Sequence, residues 1–370
     1  MRFNVLYGRK KPKEEEKKYK DKLLLKIANF NPSLRSMKID GILNPAAIRL
    51  PNKDIMLYVR VAERPIRKHK RGCPIIVAKD RYKFEKHSNY EILSQKGNIM
   101  YLRDGICRLL NLSHLRKVIL HKNGFDIKRI NQRPIFSGLP SESNLGVEDP
   151  RITKLRGKYY MTYVSVSTEN GVSTSLAVSK NLKSWHREGI VFRKQNKDVV
   201  LFPKKINGRY VALHRPEGFF SFSKPSIWIS YSKDLIYWGQ EKSIVHPREN
   251  SWDDVRIGSG PPPISTRKGW LVIYHGVQGK DKRRVYRVGS FLLDKKNPEK
   301  VLARTPKKKA FIEPIQPYEK KGYLSNVIFP TGIVKDLKTN DLLIYSGGAD
   351  SIISVKKIPI KDFLNHMEYK

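Results

Sequence analysis

Cysteine is nearly absent. The 370 residues contain two, Cys73 and Cys107, 34 positions apart and in no CxxC pairing, so neither a disulfide framework nor a thiolate metal site is implied. Both thiols are expected to be reduced and structural. Long apolar runs are missing too. No stretch reaches the roughly 18 apolar residues of a membrane span, and the opening MRFNVLYGRKKPKEEEKKYK holds nothing long enough for a signal peptide. These absences lead us to expect a cytoplasmic protein without membrane insertion. Acidic charge is scarce: 34 Asp and Glu stand against 74 Lys and Arg, a formal net charge of +40. A nucleic-acid partner would be the first reading of such a surplus. However, the basic residues are spread along the whole chain, with no zinc-finger spacing, no basic heptad region and no aromatic RNA-binding signature. The distribution reads as a solvated lysine-rich surface of the kind heat-adapted proteins carry, with a polyanion-binding face as the alternative.

Helical periodicity is also sparse, confined to the stretch near residues 18–28 (YKDKLLLKIAN) and to that near 105–117. Elsewhere, short runs rich in Val, Ile, Tyr and Phe alternate with Gly, Asn, Asp and Lys, which predicts an all-β chain. With 18 Tyr and 14 Phe a substantial core is expected. One unit recurs five times: a proline-containing start, an apolar strand, a polar turn, and a second strand ending in an aromatic residue or His. The copies are NPAAIRLPNKDIMLYVR (44–60), DPRITKLRGKYYMTYVS (149–165), FPKKINGRYVALHRP (202–216), PPPISTRKGWLVIYHG (261–276) and FPTGIVKDLKTNDLLIYSGGAD (329–350). A smaller motif, S-K-[ND]-L-x-x-W, occurs at Ser179–Trp185 and again 53 residues on at Ser232–Trp238. Strand repeats of roughly this period are the signature of propeller blades, each needing its neighbours to bury both faces. The expectation is a five-bladed β-propeller over 36–360, with an insertion or one longer blade within 66–140. A partly helical N-terminal extension would occupy 1–35 and a C-terminal tail 361–370. A six-bladed count competes.

In such a fold the repeat ends converge on the axis. They contribute Asn44, Arg60 and Arg64; Glu148, Asp149 and Arg151; Lys204, His214 and Arg215; His275; and Asp350. Carboxylates can move protons, and converging cations suit an anionic reactant such as phosphate. Any one of these charges alone is more often a structural ion-pair partner.

The strings GVEDPRITKLRGKYYMTY, LFPKKINGRYVALHRP, IGSGPPPISTRKGWLVIYHGV, YRVGSFLLDKKNPEKVLART and NVIFPTGIV with YSGGADS closely resemble glycoside hydrolase family 130, the β-mannoside phosphorylases and related β-mannosidases. The resemblance runs from about residue 40 to 355. It implies a five-bladed propeller and an inverting, reversible phosphorolysis of β-mannosides of the β-1,4-mannoside phosphorylase class, giving α-mannose 1-phosphate. Inorganic phosphate would be the co-substrate, with no other cofactor and no metal. By the same resemblance Asp149 in EDPR is the general acid, its proton passing through the mannose 3-hydroxyl. Arg60, Lys204, His214, Arg215, His275 and Tyr286 match the phosphate ligands, Arg215 and Lys204 foremost. Asn44 and Asp350 match the sugar ligands, joined by Arg64, Arg151 and Asp254. Two alternatives stay open: a β-mannosidase using water on the same fold, and a non-catalytic propeller binding a polyanion or glycan. Expected partners are a β-mannoside oligosaccharide and phosphate; the acceptor sugar and the oligomeric state, monomer or homo-oligomer, are not encoded legibly.

Overall fold

A computed structural model describes residues 19–66, 72–78, 81–218, 222–279 and 284–370. The chain is all-β. Five antiparallel sheets follow one another in sequence. Sheet I comprises Met37–Arg49, Ile55–Pro65, Leu112–Leu120 and Ile127–Ile130. Sheet II comprises Val147–Leu155, Lys158–Ser167, Gly171–Ser179 and His186–Phe192. Sheet III comprises Asn196–Leu201, Tyr210–Pro216, Ile227–Ser232 and Trp238–Val245. Sheet IV is built on Arg256–Ser259, Trp270–Gln278, Val285–Leu293 and Val301–Arg304, and sheet V on Ile328–Lys335, Leu342–Gly348 and Ile352–Ile358. Two small sheets, Gly72–Ala78 with Arg81–Lys86 and Ile92–Lys96 with Ile99–Leu102 and Cys107–Leu109, are inserted between the second and third strands of sheet I.

The strands are apolar on both faces because each sheet packs against two neighbours. In IMLYVRV, Leu57, Val59 and Val61 face a core shared with sheet V, whereas Met56 and Tyr58 face one shared with sheet II. The period of two along a strand splits a continuous apolar run between two interiors. Leu176 of sheet II shares a core with Leu201 of sheet III, Leu213 of sheet III with Trp270 of sheet IV, and Ile273 of sheet IV with Ile344 of sheet V. The five cores therefore run I–II, II–III, III–IV, IV–V and back from V to I, and residues from every sheet line one cavity.

Both helical readings are corrected, apart from the single 3₁₀ turn Ile27–Asn29 at the end of the first. Lys20–Lys26 is the fourth strand of sheet V, pairing antiparallel with Ile352–Ile358 from Lys20↔Lys357 onward. Its Leu24 and Leu25 are buried in the V–I core. A partner more than 300 residues away supplies the backbone hydrogen bonds, so tertiary pairing overrides the local leucine pattern. Cys107–Leu109 and Leu112–Leu120, which together take up most of 105–117, are strands as well. The C-terminal residues also dock: Phe363 of the short helix Ile360–Asn365 is fully buried, and Glu368–Tyr369 joins the outer edge of sheet IV. Among the described residues no helix is long and apolar enough to cross a membrane.

Candidate active site

One backbone device aims side chains into the cavity. The first strand of sheets I, II and III breaks register with its neighbour between Leu43 and Ala46, Glu148 and Arg151, and Lys197 and Val200 respectively. The residue inside each break, Asn44, Asp149 or Asp198, has a positive φ of 37°, 46° or 55°. Asn and Asp tolerate this region better than other side chains, and bulges commonly re-aim a residue beside a functional site. Each left-handed residue costs about 1–3 kcal/mol. In sheet IV the neighbouring position is Gly258, where a Cβ would lie 2.1 Å from Asp198 Oδ2 and 2.5 Å from both Arg215 Nη1 and His275 Cε1. Only glycine leaves room for that cluster.

The cavity, about 220 Å³ in volume, has two poles. At the first, Asp149 Oδ1 accepts hydrogen bonds from Asn44 Nδ2 at 2.9 Å and Arg60 Nη1 at 3.0 Å. Arg60 also donates to Glu148 Oε1 at 2.7 Å and to Ser113 Oγ at 3.0 Å. Behind Asp149, Arg151 Nη1 donates to its backbone carbonyl at 2.8 Å. Burial alone would raise the Asp149 pKa, but Arg60, Arg151, the Asn44 hydrogen bond and Lys197 outweigh it and hold the carboxyl below its ordinary range. Asp350, on the same wall, goes the other way. Burial lifts it to about 6, with Arg60 opposing and the negative charges of Asp149 and Glu148 reinforcing. One wall thus holds an ionised carboxylate beside a carboxyl that titrates near neutrality, the separation that lets two acids take different parts.

The second pole carries Lys197, Arg215, Arg256, His275 and Tyr286. Arg215 ion-pairs with Asp198 through Nη1 and with Glu217 through Nη2, the latter at 2.7 Å. Its Nη1 also lies 3.1 Å from His275 Nε2. A guanidinium can only donate, so Nε2 is assigned as the acceptor and the imidazole proton to Nδ1. Burial, opposed by Asp198, lowers the His275 pKa to about 3, so the ring is neutral at physiological pH. Its Nδ1 is buried without a partner. Arg256 Nη2 donates to the Tyr286 hydroxyl. Among the described residues neither Lys197 nor Arg256 has a carboxylate within salt-bridge distance. Asp198, 2% exposed, ties the poles together: Oδ1 accepts from Arg151 Nη2 at 2.9 Å, and Oδ2 meets Arg215 and lies 3.7 Å from His275 Nε2. Burial works against its charge, but Arg215 and Arg151 keep it ionised well below the usual carboxylate range.

Eight residues singled out in the sequence meet around this cavity: Asn44, Arg60, Glu148, Asp149, Arg215, His275, Tyr286 and Asp350. Arg60 stands with the carboxylates and not among the other cations. Five lie elsewhere. Lys204 is exposed in the turn between the first two strands of sheet III, its Nζ 5.4 Å from the Trp270 ring centroid, at the end of the strands remote from Arg215. His214 alternates with Arg215, so it faces a core: Nδ1 meets Asn196 Nδ2 at 2.9 Å, Nε2 meets Ser230 Oγ at 2.7 Å, and the ring packs on Phe192. Arg151 is 2% exposed and fully engaged behind Asp149. Asp254 is absent from the lining, and Arg64 forms an ion pair with Asp40 outside it. Sequence reasoning missed Lys197, Asp198, Glu217 and Arg256. The signal for Asp198 was its alignment with Asn44 and Asp149, hidden because Val199 stands where Pro45 and Pro150 follow the other two.

A family model described as beta-1,4-mannooligosaccharide phosphorylase matches residues 120–369. The chain is 42% identical over 243 residues to a 1,2-β-oligomannan phosphorylase of Thermoanaerobacter sp., covering 65% of this chain and 77% of the relative. It is 30% identical over 364 residues to a β-1,2-mannobiose phosphorylase of Listeria innocua, covering 95% and 98%. The solved structure of the Listeria innocua β-1,2-mannobiose phosphorylase with β-1,2-mannobiose superposes with a TM-score of 0.83 at 29% identity, over 93% of this chain and 96% of that one. Similarity of sequence and fold along nearly the whole length places this chain in glycoside hydrolase family 130.

Proposed function

We propose that the protein is an inverting β-mannoside phosphorylase. The observation that carries this reading is the second pole: Lys197 and Arg256, without carboxylate partners among the described residues, stand with Arg215, Tyr286 and a neutral His275 around the cavity that Asp149 also lines. Such a concentration of donors suits a phosphate dianion, which charge-assisted hydrogen bonds would hold. With the mannosyl ring gripped by Asn44 and Asp350, a phosphate oxygen forms the bond to C1 as the glycosidic C1–O bond breaks. The leaving oxygen takes up a proton from the Asp149 side, relayed by the mannose 3-hydroxyl as the family resemblance implies. The products are α-mannose 1-phosphate and the shortened sugar. Phosphate also supplies the switch that arms the acid. Lys197 is among the charges holding Asp149 ionised; a dianion beside Lys197 cancels that charge and repels the carboxylate, raising the Asp149 pKa toward the protonated form.

The names of the relatives favour β-1,2-linked mannosides as substrates. The cyclic succession of five cores supports a five-bladed propeller as one catalytic body, its last blade completed by the N-terminal strand. Two free cysteines fit a cytoplasmic setting. A water-using mannosidase would need a base opposite Asp149. Glu148 shares Arg60 with Asp149 on one wall, and Glu217, on the other, is held by Arg215. The test is to incubate β-1,2- and β-1,4-mannobiose with and without phosphate and to determine the anomeric form of any sugar phosphate. Phosphate-dependent α-mannose 1-phosphate supports the proposal; free mannose released at a rate indifferent to phosphate sinks it.

A further inference from the structure

Asp350, which grips the mannosyl ring in the proposed reaction, stands in the turn that joins Leu342–Gly348 to Ile352–Ile358. Its φ is 52°, and that of the fully buried Ala349 before it is 48°. Two successive left-handed residues in a hairpin turn are ordinarily Asn or Gly, and an alanine stays there only where its surroundings impose it. Those surroundings are residues 315–327, a segment whose one regular element is the four-residue helix Pro317–Lys320. Leu324 N donates to Ala349 O at 3.2 Å, Ala349 N to Val327 O at 3.1 Å, and Tyr323 N to Ser351 Oγ at 3.0 Å. The approach leaves no room for a side chain at Gly322, where a Cβ would lie 2.4 Å from Ala349 O and 2.6 Å from Ala349 Cβ. From the other side, a Cβ on Gly41 of sheet I would come 2.7 Å from Asp350 O. The turn is clamped between the two.

Buried charge holds this brace. Glu319 is fully buried; its Oε2 accepts from the Ile315 and Gln316 amides at 3.1 and 3.0 Å, and its backbone carbonyl accepts from Val327 N at 3.0 Å. Its Oε1 lies 2.8 Å from Nζ of Lys356, a residue only 5% exposed on Ile352–Ile358. Lys356 also pairs with Asp21, its cross-strand neighbour on Lys20–Lys26, and Asp21 accepts from the Tyr318 hydroxyl at 2.9 Å. One cation thus serves two carboxylates. Burial raises the Glu319 pKa and Lys356 opposes the rise, so the charge of Glu319 depends on that lysine. Such a cluster costs desolvation that apolar side chains of the same volume would avoid. It sits where the brace has neither a strand nor a long helix to fix it.

We propose that Glu319, Lys356 and Gly322 are positioning residues for mannosyl transfer: the ion cluster sets the 315–327 brace against the Ala349–Asp350 turn, and Gly322 lets the two backbones meet. None of the three lines the cavity. Each therefore acts through the Asp350 carboxyl, whose place on the cavity wall the brace fixes. The inference rests on the reading in which Asp350 holds the mannosyl ring, and through Asp21 it makes the N-terminal strand part of the frame of the acid pole.

The experiment compares the wild type, Glu319→Gln and Gly322→Ala, each also combined with Asp350→Ala. Calorimetric titration with β-1,2-mannobiose in phosphate-free buffer gives the mannoside affinity, and initial rates give kcat and the KM for mannobiose and for phosphate. Each single substitution should weaken mannobiose binding and raise its KM by about tenfold, with the phosphate KM within about twofold of the wild type. With Asp350→Ala already present, the same substitutions should change mannobiose affinity by less than about twofold, because residues that act through one side chain are not additive. A purely structural role would instead lower the melting temperature and the active fraction, so that kcat falls with both KM values unchanged. Gly322 is exposed, so Gly322→Ala keeps the test open should Glu319→Gln fail to fold. Unchanged mannobiose affinity in the folded variants, or a loss of equal size in the Asp350→Ala background, overturns the positioning role. Absence of sugar phosphate when phosphate is added overturns the phosphorylase reading, and the calorimetric affinities still decide the role of the brace.

Discussion

At one pole of the cavity Asn44 and Asp149 emerge from bulges in sheets I and II and bond to each other; at the other Asp198 emerges from the same bulge in sheet III and turns to Arg151, Arg215 and His275. The backbone device is shared and the surroundings differ. Asp149 lines the cavity with Arg60 and Asn44 both on Oδ1, which leaves Oδ2 for a substrate hydroxyl. Asp198 has both oxygens occupied by buried guanidinium groups and is permanently ionised. Position in the fold brings a carboxylate to the cavity, and the cations packed around it decide whether it acts on substrate or holds other groups in place.

The largest effect that would break this contrast belongs to Asp149. Asp149→Asn removes the transferable proton with almost no change of shape, so kcat should fall by about 10³-fold or more with the melting temperature nearly unchanged. Activity within tenfold of the wild type would place the acid elsewhere.

Asp198→Asn should show the reverse balance. Removing the charge leaves Arg151 buried without its counterion and Arg215 with Glu217 alone, a loss of about 3–5 kcal/mol of stability. A smaller, roughly tenfold rise in the phosphate requirement should accompany it. Denaturant unfolding and initial rates together check the split, and a stable protein with collapsed kcat would make Asp198 a reacting group.

Asp350 sharpens the comparison through pH. Its folded pKa is raised from 3.8 to about 6, so the folded state holds its proton more tightly than the unfolded chain. The stability this contributes is complete below about pH 4 and is lost as pH rises through 6, up to about 3 kcal/mol in all. Asp350→Asn escapes that loss. Thermal melts should therefore show the variant gaining on the wild type between pH 4 and pH 8; parallel curves would mean that burial does not shift this carboxyl.

Much of this arrangement is legible in the sequence because strand repeats expose their own register. NPAAIRL and DPRITKL announce Asn44 and Asp149, and HRP and YHG announce Arg215 and His275. Legibility fails where the repeat loses its proline. DVVLFPK carries the third bulge at Asp198, but the proline at 203 draws the eye to Lys204, six and seven residues further along the chain than Asp198 and Lys197 and beyond the opposite end of the strand. It fails again where alternation matters, since a slip of one residue confuses His214, which serves a core, with Arg215, which serves the cavity. Lys20–Lys26 is illegible for another reason: its identity as a strand depends on Ile352–Ile358, and nothing local distinguishes KLLLKI from an amphipathic turn of helix.

The central claim, that the second pole is the phosphate site, is tested most directly by initial rates against phosphate concentration for the wild type and Arg215→Ala, with Lys204→Ala as the exposed-cation control. The expected result is a phosphate KM raised by about tenfold or more in Arg215→Ala, mannoside affinity measured without phosphate within about twofold of the wild type, and Lys204→Ala indistinguishable from the wild type. A mannoside affinity that falls while the phosphate KM stays put, or a Lys204→Ala variant that loses phosphate in place of Arg215→Ala, would contradict it.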